Sequence, residues 1–331
     1  MTHIATSHMS SFTWTPGTGF DTRALRRMQQ HFPRPKEPMG ESWFMGDERK
    51  MFDQLLGDID SLSAEDLREP LEEIVSGFSS FGAYEEWVNW YHYLLVALIP
   101  RGNHHYLESM FEYLITGFIG LYPNGIEVAP YKGFRTDVMR TLGRCIMEKE
   151  CWDGSDIVVG RLLHRSNNNP NKVWCWWNAS GDFSSSMFFC LKYLPEEEIA
   201  TWLKSVLRIS SAHWRAQLIV WLVGANNFFQ DEFFWPAELK QNVQPRVAWA
   251  WSHCLRANME SNPRGALLVD KPAFLPRENR LAALRVLREE ITEHRYLEWL
   301  ESMSSYPYLL EEMGHTTQSF EKLYLKDLRR R

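Results

Sequence analysis

Apolar residues recur along most of this chain at three- and four-residue intervals, and the clearest case runs from Leu194 to Phe229. In its first half Ile199, Trp202, Leu203, Val206 and Leu207 fall on one stripe with charge opposite, which predicts a helix with one wet face. Pro195 suits a first helical position, where its missing N–H has no partner to lose. Glu196, Glu197 and Glu198 favour the positive end of the helix dipole, and Lys204 and Arg208 the negative end. Ser210-Ser211 breaks the run and supplies a cap for a second helix. From Trp214 to Val223 only Arg215 and Gln217 are strongly polar, so this second helix must be covered on several sides. Gly224 offers a left-handed residue to end it.

Similar periodicity appears on both sides of this pair. Asp21 caps a short basic helix through His31, and Pro33, Pro35 and Pro38 then form a stiff linker. A helix is predicted over Glu48–Ile59, and Ser63-x-x-Asp66 reads as a capping box opening another through Phe78, with Leu67, Leu71, Ile74 and Val75 on its stripe. Pro70 kinks that helix or marks its true first turn. Further helices are predicted over Tyr84–Ile99, from Asn103 through Phe118, over Phe134–Ile146, from Asp156 towards His164, over Arg246–Met259 and Asn279–Ser302, and from Ser319. No sustained alternation of apolar and polar residues is found, so the fold class is all-α. The predicted organisation is an irregular N-terminal segment at 1–20, N-terminal helices at 21–60, an array of helical hairpins at 61–230, and a C-terminal helical region at 231–331 with a long irregular loop at 260–278.

One weak internal echo supports the array. Leu62, Leu67, Leu71, Ile74 and Val75 match Leu194, Ile199, Leu203, Val206 and Leu207 at a constant offset. Successive helical pairs with degenerate apolar stripes resemble the HEAT-like α-solenoid proteins, over roughly residues 60 to 230, whereas the Trp, Gly, Tyr and Pro pattern of tetratricopeptide repeats is not visible. The resemblance implies stacked antiparallel hairpins with a concave surface that binds other macromolecules; a closed α/α toroid is the alternative arrangement.

Composition narrows the function more than the fold. The 331 residues are 44% hydrophobic and include 15 Trp and 19 Phe, which excludes wholesale disorder. A formal net charge of −6 argues against a generic nucleic-acid binder. Charge is uneven: Asp47 to Glu86 holds twelve acidic residues against Arg49, Lys50 and Arg68. An acidic face comprising Glu65, Asp66, Glu69, Glu72, Glu73, Glu85 and Glu86 suits a basic partner, or is simply a solvated surface. The five cysteines are odd in number and lack C-x-x-C spacing, as expected of buried, reduced thiols in a cytoplasmic protein. The polar N-terminus resembles no secretory signal, and the longest apolar stretch, Trp87–Ile99, is shorter than the roughly 20 residues a membrane span needs.

Residues for chemistry are sparse. His104 and His105 are adjacent and point to different helix faces; His253-Cys254 shares that fault, and Glu290 stands where a zinc-binding helix would need its first His. Gly77–Gly82 lacks the spacing of a nucleophile elbow, and no phosphate-cradling glycine loop occurs, so no metal or cofactor is expected. A carbohydrate-processing toroid would need two converging carboxylates, for which Asp153, Asp156 and Asp182 are available. Isoprenoid cyclases need an Asp-rich metal motif that this chain lacks.

Nine of the Trp residues lie between Trp174 and Trp251. Most suit a bulky core, but Trp174, Trp176 and Trp177 are too close in sequence to share one inward face. With Arg161, Arg165, Asn168, Asn178 and Asp182 they compose a recognition patch of the kind found at interface hot spots. The expectation is a non-enzymatic protein-binding module, such as an immunity-type inhibitor or adaptor. The alternatives are an all-helical carbohydrate enzyme and an RNA-binding helical repeat.

Overall fold

Uninterrupted apolar stripes become helices in this protein, and the helices bury those stripes against one another. The computed structural model describes residues 11–38, 53–76, 84–100, 109–126, 130–158, 162, 178–241, 246–255 and 273–325. In chain order the main helices are α1 (Thr22–His31), α2 (Ala64–Ser76), α3 (Tyr84–Leu98), α4 (Met110–Leu121), α5 (Phe134–Arg140), α6 (Gly181–Tyr193), α7 (Glu196–Arg208), α8 (Ala212–Gly224) and α9 (Asn226–Phe229). After them come α10 (Arg277–Glu290), α11 (Glu293–Ser304), α12 (Pro307–Met313) and α13 (Thr316–Phe320).

Both predicted helices are present, as α7 and α8. Ile199, Trp202, Leu203, Val206 and Leu207 are all buried, and Ser211 Oγ caps α8 by accepting from the Trp214 N–H at 3.1 Å. Pro195 is the N-cap of α7 rather than its first helical residue. Gly224 lies within α8 and takes no left-handed conformation, because the chain continues through Ala225 directly into α9. α8 is sheathed on several sides: α11, α12 and α13 pack on it, as do short strands at Asp156–Ile157, Asn178–Ala179 and Arg246–Val247. Gln217 and Arg215, two of its polar residues, find partners at its flanks. Gln217 Oε1 accepts from the Ser180 N–H at 2.8 Å, and Arg215 Nε donates to the Ile209 carbonyl at 3.3 Å.

The most extensive helix contacts join α7 to α10, α4 to α6 and α2 to α4, so partners distant in sequence dominate over consecutive helices. The C-terminal region therefore shares its core with the helices that precede it. Residues 11–20 are also built into it. Trp14 is 1% exposed, wedged edge-on between Trp202 and Trp214, and its Nε1 donates to the Gly143 carbonyl at 2.8 Å. The Gly19 N–H donates to the Met147 carbonyl and the Phe20 N–H to Glu148 Oε1. The predicted irregular lead-in is thus, from residue 11 on, a structural strap.

Several local expectations are corrected. Glu48–Ile59 gives tight 3₁₀ turns at Asp53–Leu56 and Ile59–Ser61 over its described part. Asp156 opens no helix; with Ile157 it pairs antiparallel to Trp152–Asp153 across a two-residue turn whose Gly154 has φ +61°. Arg246–Val247 begins as a strand, parallel to Asn178–Ala179. Asn279–Ser302 divides into α10 and α11, because Thr292 Oγ1 accepts from the Arg295 N–H and starts a new helix. Phe134–Ile146 likewise ends its α-helix at Arg140 and continues as a 3₁₀ turn over Leu142–Met147.

Candidate functional site

The acidic face is built by α2. Its capping box forms as the sequence implies: the Ser63 N–H donates to Asp66 Oδ2 at 2.9 Å, and the Asp66 N–H donates back to Ser63 Oγ at 3.2 Å. The Ser63 hydroxyl and N–H hold the Asp66 carboxyl below its usual range. With Leu67, Leu71, Ile74 and Val75 turned into the core, the opposite side of the helix carries the acids. Glu65, Asp66, Glu69 and Glu72 line an open groove of about 420 Å³ together with Gln54 and Arg68. Four carboxylates thus face one guanidinium, which reaches Glu65 only at 3.8 Å.

One of these carboxylates is held from outside the groove: the Tyr113 hydroxyl donates to Glu72 Oε1 at 3.0 Å. Burial, and then this bond to a carboxylate, push the Tyr113 hydroxyl up to about 12. Glu73 is half-buried beside these residues in sequence. Glu85 and Glu86 are exposed in the first turn of α3, where they also complement that helix's dipole.

The proposed aromatic and polar patch fares differently. Arg161, Arg165, Asn168, Trp174, Trp176 and Trp177 lie outside the described residues. Asn178 contributes its backbone to the strand paired with Arg246–Val247. Asp182 is corrected outright: it is fully buried in the first turn of α6, and its Oδ1 accepts from the Glu112 N–H at 2.9 Å. Ser109 gives α4 no side-chain cap, so Asp182 reaches across from α6 to serve in its place. Glu112, itself 2% exposed, accepts from the Trp251 N–H at 3.1 Å.

These acids do not form a glycosidase pair. Glu112 and Asp182 are occupied by backbone donors, Asp153 is exposed at the β-turn, and Asp156 belongs to another cluster. Among the described residues no three His, Cys, Asp or Glu side chains converge as metal ligands, and no helix is long and apolar enough to cross a membrane. Cys145, Cys151, Cys190 and Cys254 are all buried.

Sequence reasoning overlooked the most organised polar cluster. His213 Nδ1 donates to Asp156 Oδ2 at 2.9 Å, its Nε2 meets the Tyr308 hydroxyl, and Ser211 Oγ donates to Asp156 Oδ1. The residues resemble a Ser-His-Asp set, but the order is wrong for catalysis: serine and histidine both address the carboxylate, so the imidazole is not placed to take the serine's proton. The cluster instead ties the β-turn to the start of α8 and to α12. No family model, curated protein or solved structure matches the chain.

Burial works to raise the Asp156 carboxyl, but the bonds from His213 and Ser211 and the charge of His213 outweigh it and bring it down to about 2. An aspartate unfolded near pH 4 and folded near 2 adds stability above about pH 4, lost as pH falls through about 2. We predict that Asp156→Asn lowers neutral-pH stability by about 2 kcal/mol and flattens the stability curve between about pH 4 and 2. Urea midpoints measured across that range check both parts, and an unchanged acid slope in the variant would contradict them.

Proposed function

We propose that this chain is a non-enzymatic protein-binding module that receives a basic segment of its partner on the acidic face of α2. The observation that supports the reading is the groove in which four carboxylates face a single arginine on one rigid, capped helix. Charge of one sign along an open cleft attracts and orients a Lys- or Arg-rich segment, and acts on the rate of encounter as well as on affinity. An immunity-type inhibitor that covers the basic active surface of a toxin is one concrete form of the proposal, and an adaptor is another. The broad helical surface expected of a HEAT-like array belongs to the same reading.

The test is affinity capture from the native source at low salt, followed by titration of the captured partner against the full chain. The expected result is a defined stoichiometry and binding that weakens steeply with salt. Glu65→Lys combined with Glu69→Lys should weaken it by about tenfold to a hundredfold while leaving the helical signal unchanged. Absence of any macromolecular partner at low salt, or a partner indifferent to the double reversal, overturns the proposal.

A further inference from the structure

Arg135 and Arg140 of α5 and Arg144 of the adjoining 3₁₀ turn all lie within electrostatic range of Glu198 on α7. The Arg144 guanidinium lies over the Phe12 ring, 5.0 Å from the centroid, and its Nε is shut away from solvent with no acceptor. Among the described residues no carboxylate or carbonyl comes within bonding distance of this half-buried side chain. Half-buried guanidinium groups are seldom left so, because each lost donor carries a desolvation cost without return.

Nearby acids are engaged elsewhere or too far away. Asp21 caps α1 through the Arg23 and Ala24 N–H groups, and Arg140 approaches its other oxygen only to 3.8 Å. Glu198 lies within electrostatic range of Arg135, Arg140 and Arg144 but within 4 Å of none. Arg135 commits its Nε and Nη2 to the Tyr193 carbonyl. Burial, and then the charge of Arg140, work against the protonated form of Arg144, while Cys190, Asp21 and Glu198 work in its favour from a distance.

We propose that Arg140 and Arg144 form a binding site for a small oxyanion, the carboxylate or phosphate group of a ligand. The planar fork of Arg144 matches either group with two parallel hydrogen bonds, and Arg140 supplies a second positive charge within electrostatic range. The site is independent of the acidic groove, and its test does not involve a protein partner.

The experiment titrates inorganic phosphate and acetate separately into the full chain by calorimetry, with sodium chloride holding ionic strength constant. Saturable binding of one probe identifies the group. Arg144→Gln should weaken it at least about tenfold, Arg140→Gln less, and Arg288→Gln, on the exposed face of α10, not at all. Should Arg144→Gln fail to fold, Arg144→Lys keeps the charge and the aliphatic stem but lacks the fork, and the same weakening is expected. No saturable binding of either probe, or equal weakening by the Arg144 and Arg288 variants, overturns the assignment.

Discussion

Replacing Trp14 with alanine is expected to destabilise the protein by about 3–5 kcal/mol, the largest effect of any single truncation outside the regular helices. The indole is 1% exposed, and its ring centroid sits 5.4 Å from that of Trp202 and 6.0 Å from that of Trp214. Truncation leaves a void between two large rigid rings, which collapse poorly, and removes a donor from the buried Gly143 carbonyl. The strap keeps one fastening, because the backbone N–H of residue 14, which donates to Ser205 Oγ at 2.9 Å, survives the substitution. Trp14→Phe should retain much of the packing and lose about 1–2 kcal/mol through the missing indole N–H. Guanidinium unfolding followed by far-ultraviolet dichroism measures both, and a loss under about 1 kcal/mol for the alanine variant would show that the strap is dispensable.

A comparably large loss is expected of Gly181→Ala. Alanine ordinarily favours a helix over glycine by up to about 1 kcal/mol, so the substitution would stabilise an unconstrained first turn of α6. At this position a Cβ would fall on the Oε2 atom of Glu112 and lie 2.9 Å from its Cδ. Glu112 has nowhere to withdraw, being buried and bonded to the Trp251 N–H. The expected outcome is a net loss of about 2–4 kcal/mol, from overpacking together with disturbance of the two buried acids. Glu112→Ala would itself destabilise, yet the double variant should lose clearly less than the sum, because one change removes what the other collides with. Additive losses in a denaturation cycle would place the cause elsewhere.

How much of this was legible depended on distance along the chain. The stripes of α2, α7 and α8 and the Ser63–Asp66 capping box could be read because every interaction that defines them lies within a few residues. The turn at Gly154-Ser155 carried a recognisable hairpin dipeptide that the helical periodicity around it obscured. Thr292 was likewise a visible N-cap inside what read as one charged helix. The acidic groove was legible as composition, although Gln54, which lines it, and Tyr113, which holds Glu72, are connected to α2 by no local pattern.

Long-range pairings left no such trace. Asp156 and His213 are 57 residues apart, and His213 and Tyr308 are 95 apart. Asp182 read as a surface residue because a lone acid beside polar neighbours usually is one. Its burial depends on α4 lacking a side-chain cap of its own, and only the packing of α4 on α6 reveals that.

The sheath around α8 bears on how such a molecule can change. An open row of repeats grows by adding another unit at either end, since each new unit needs only one neighbour. Here a single apolar rod already has helices and strands from far-flung parts of the chain laid along its length. Among the described residues an inserted hairpin would meet flanks of α8 that are already covered, so added length is expected in the connections instead.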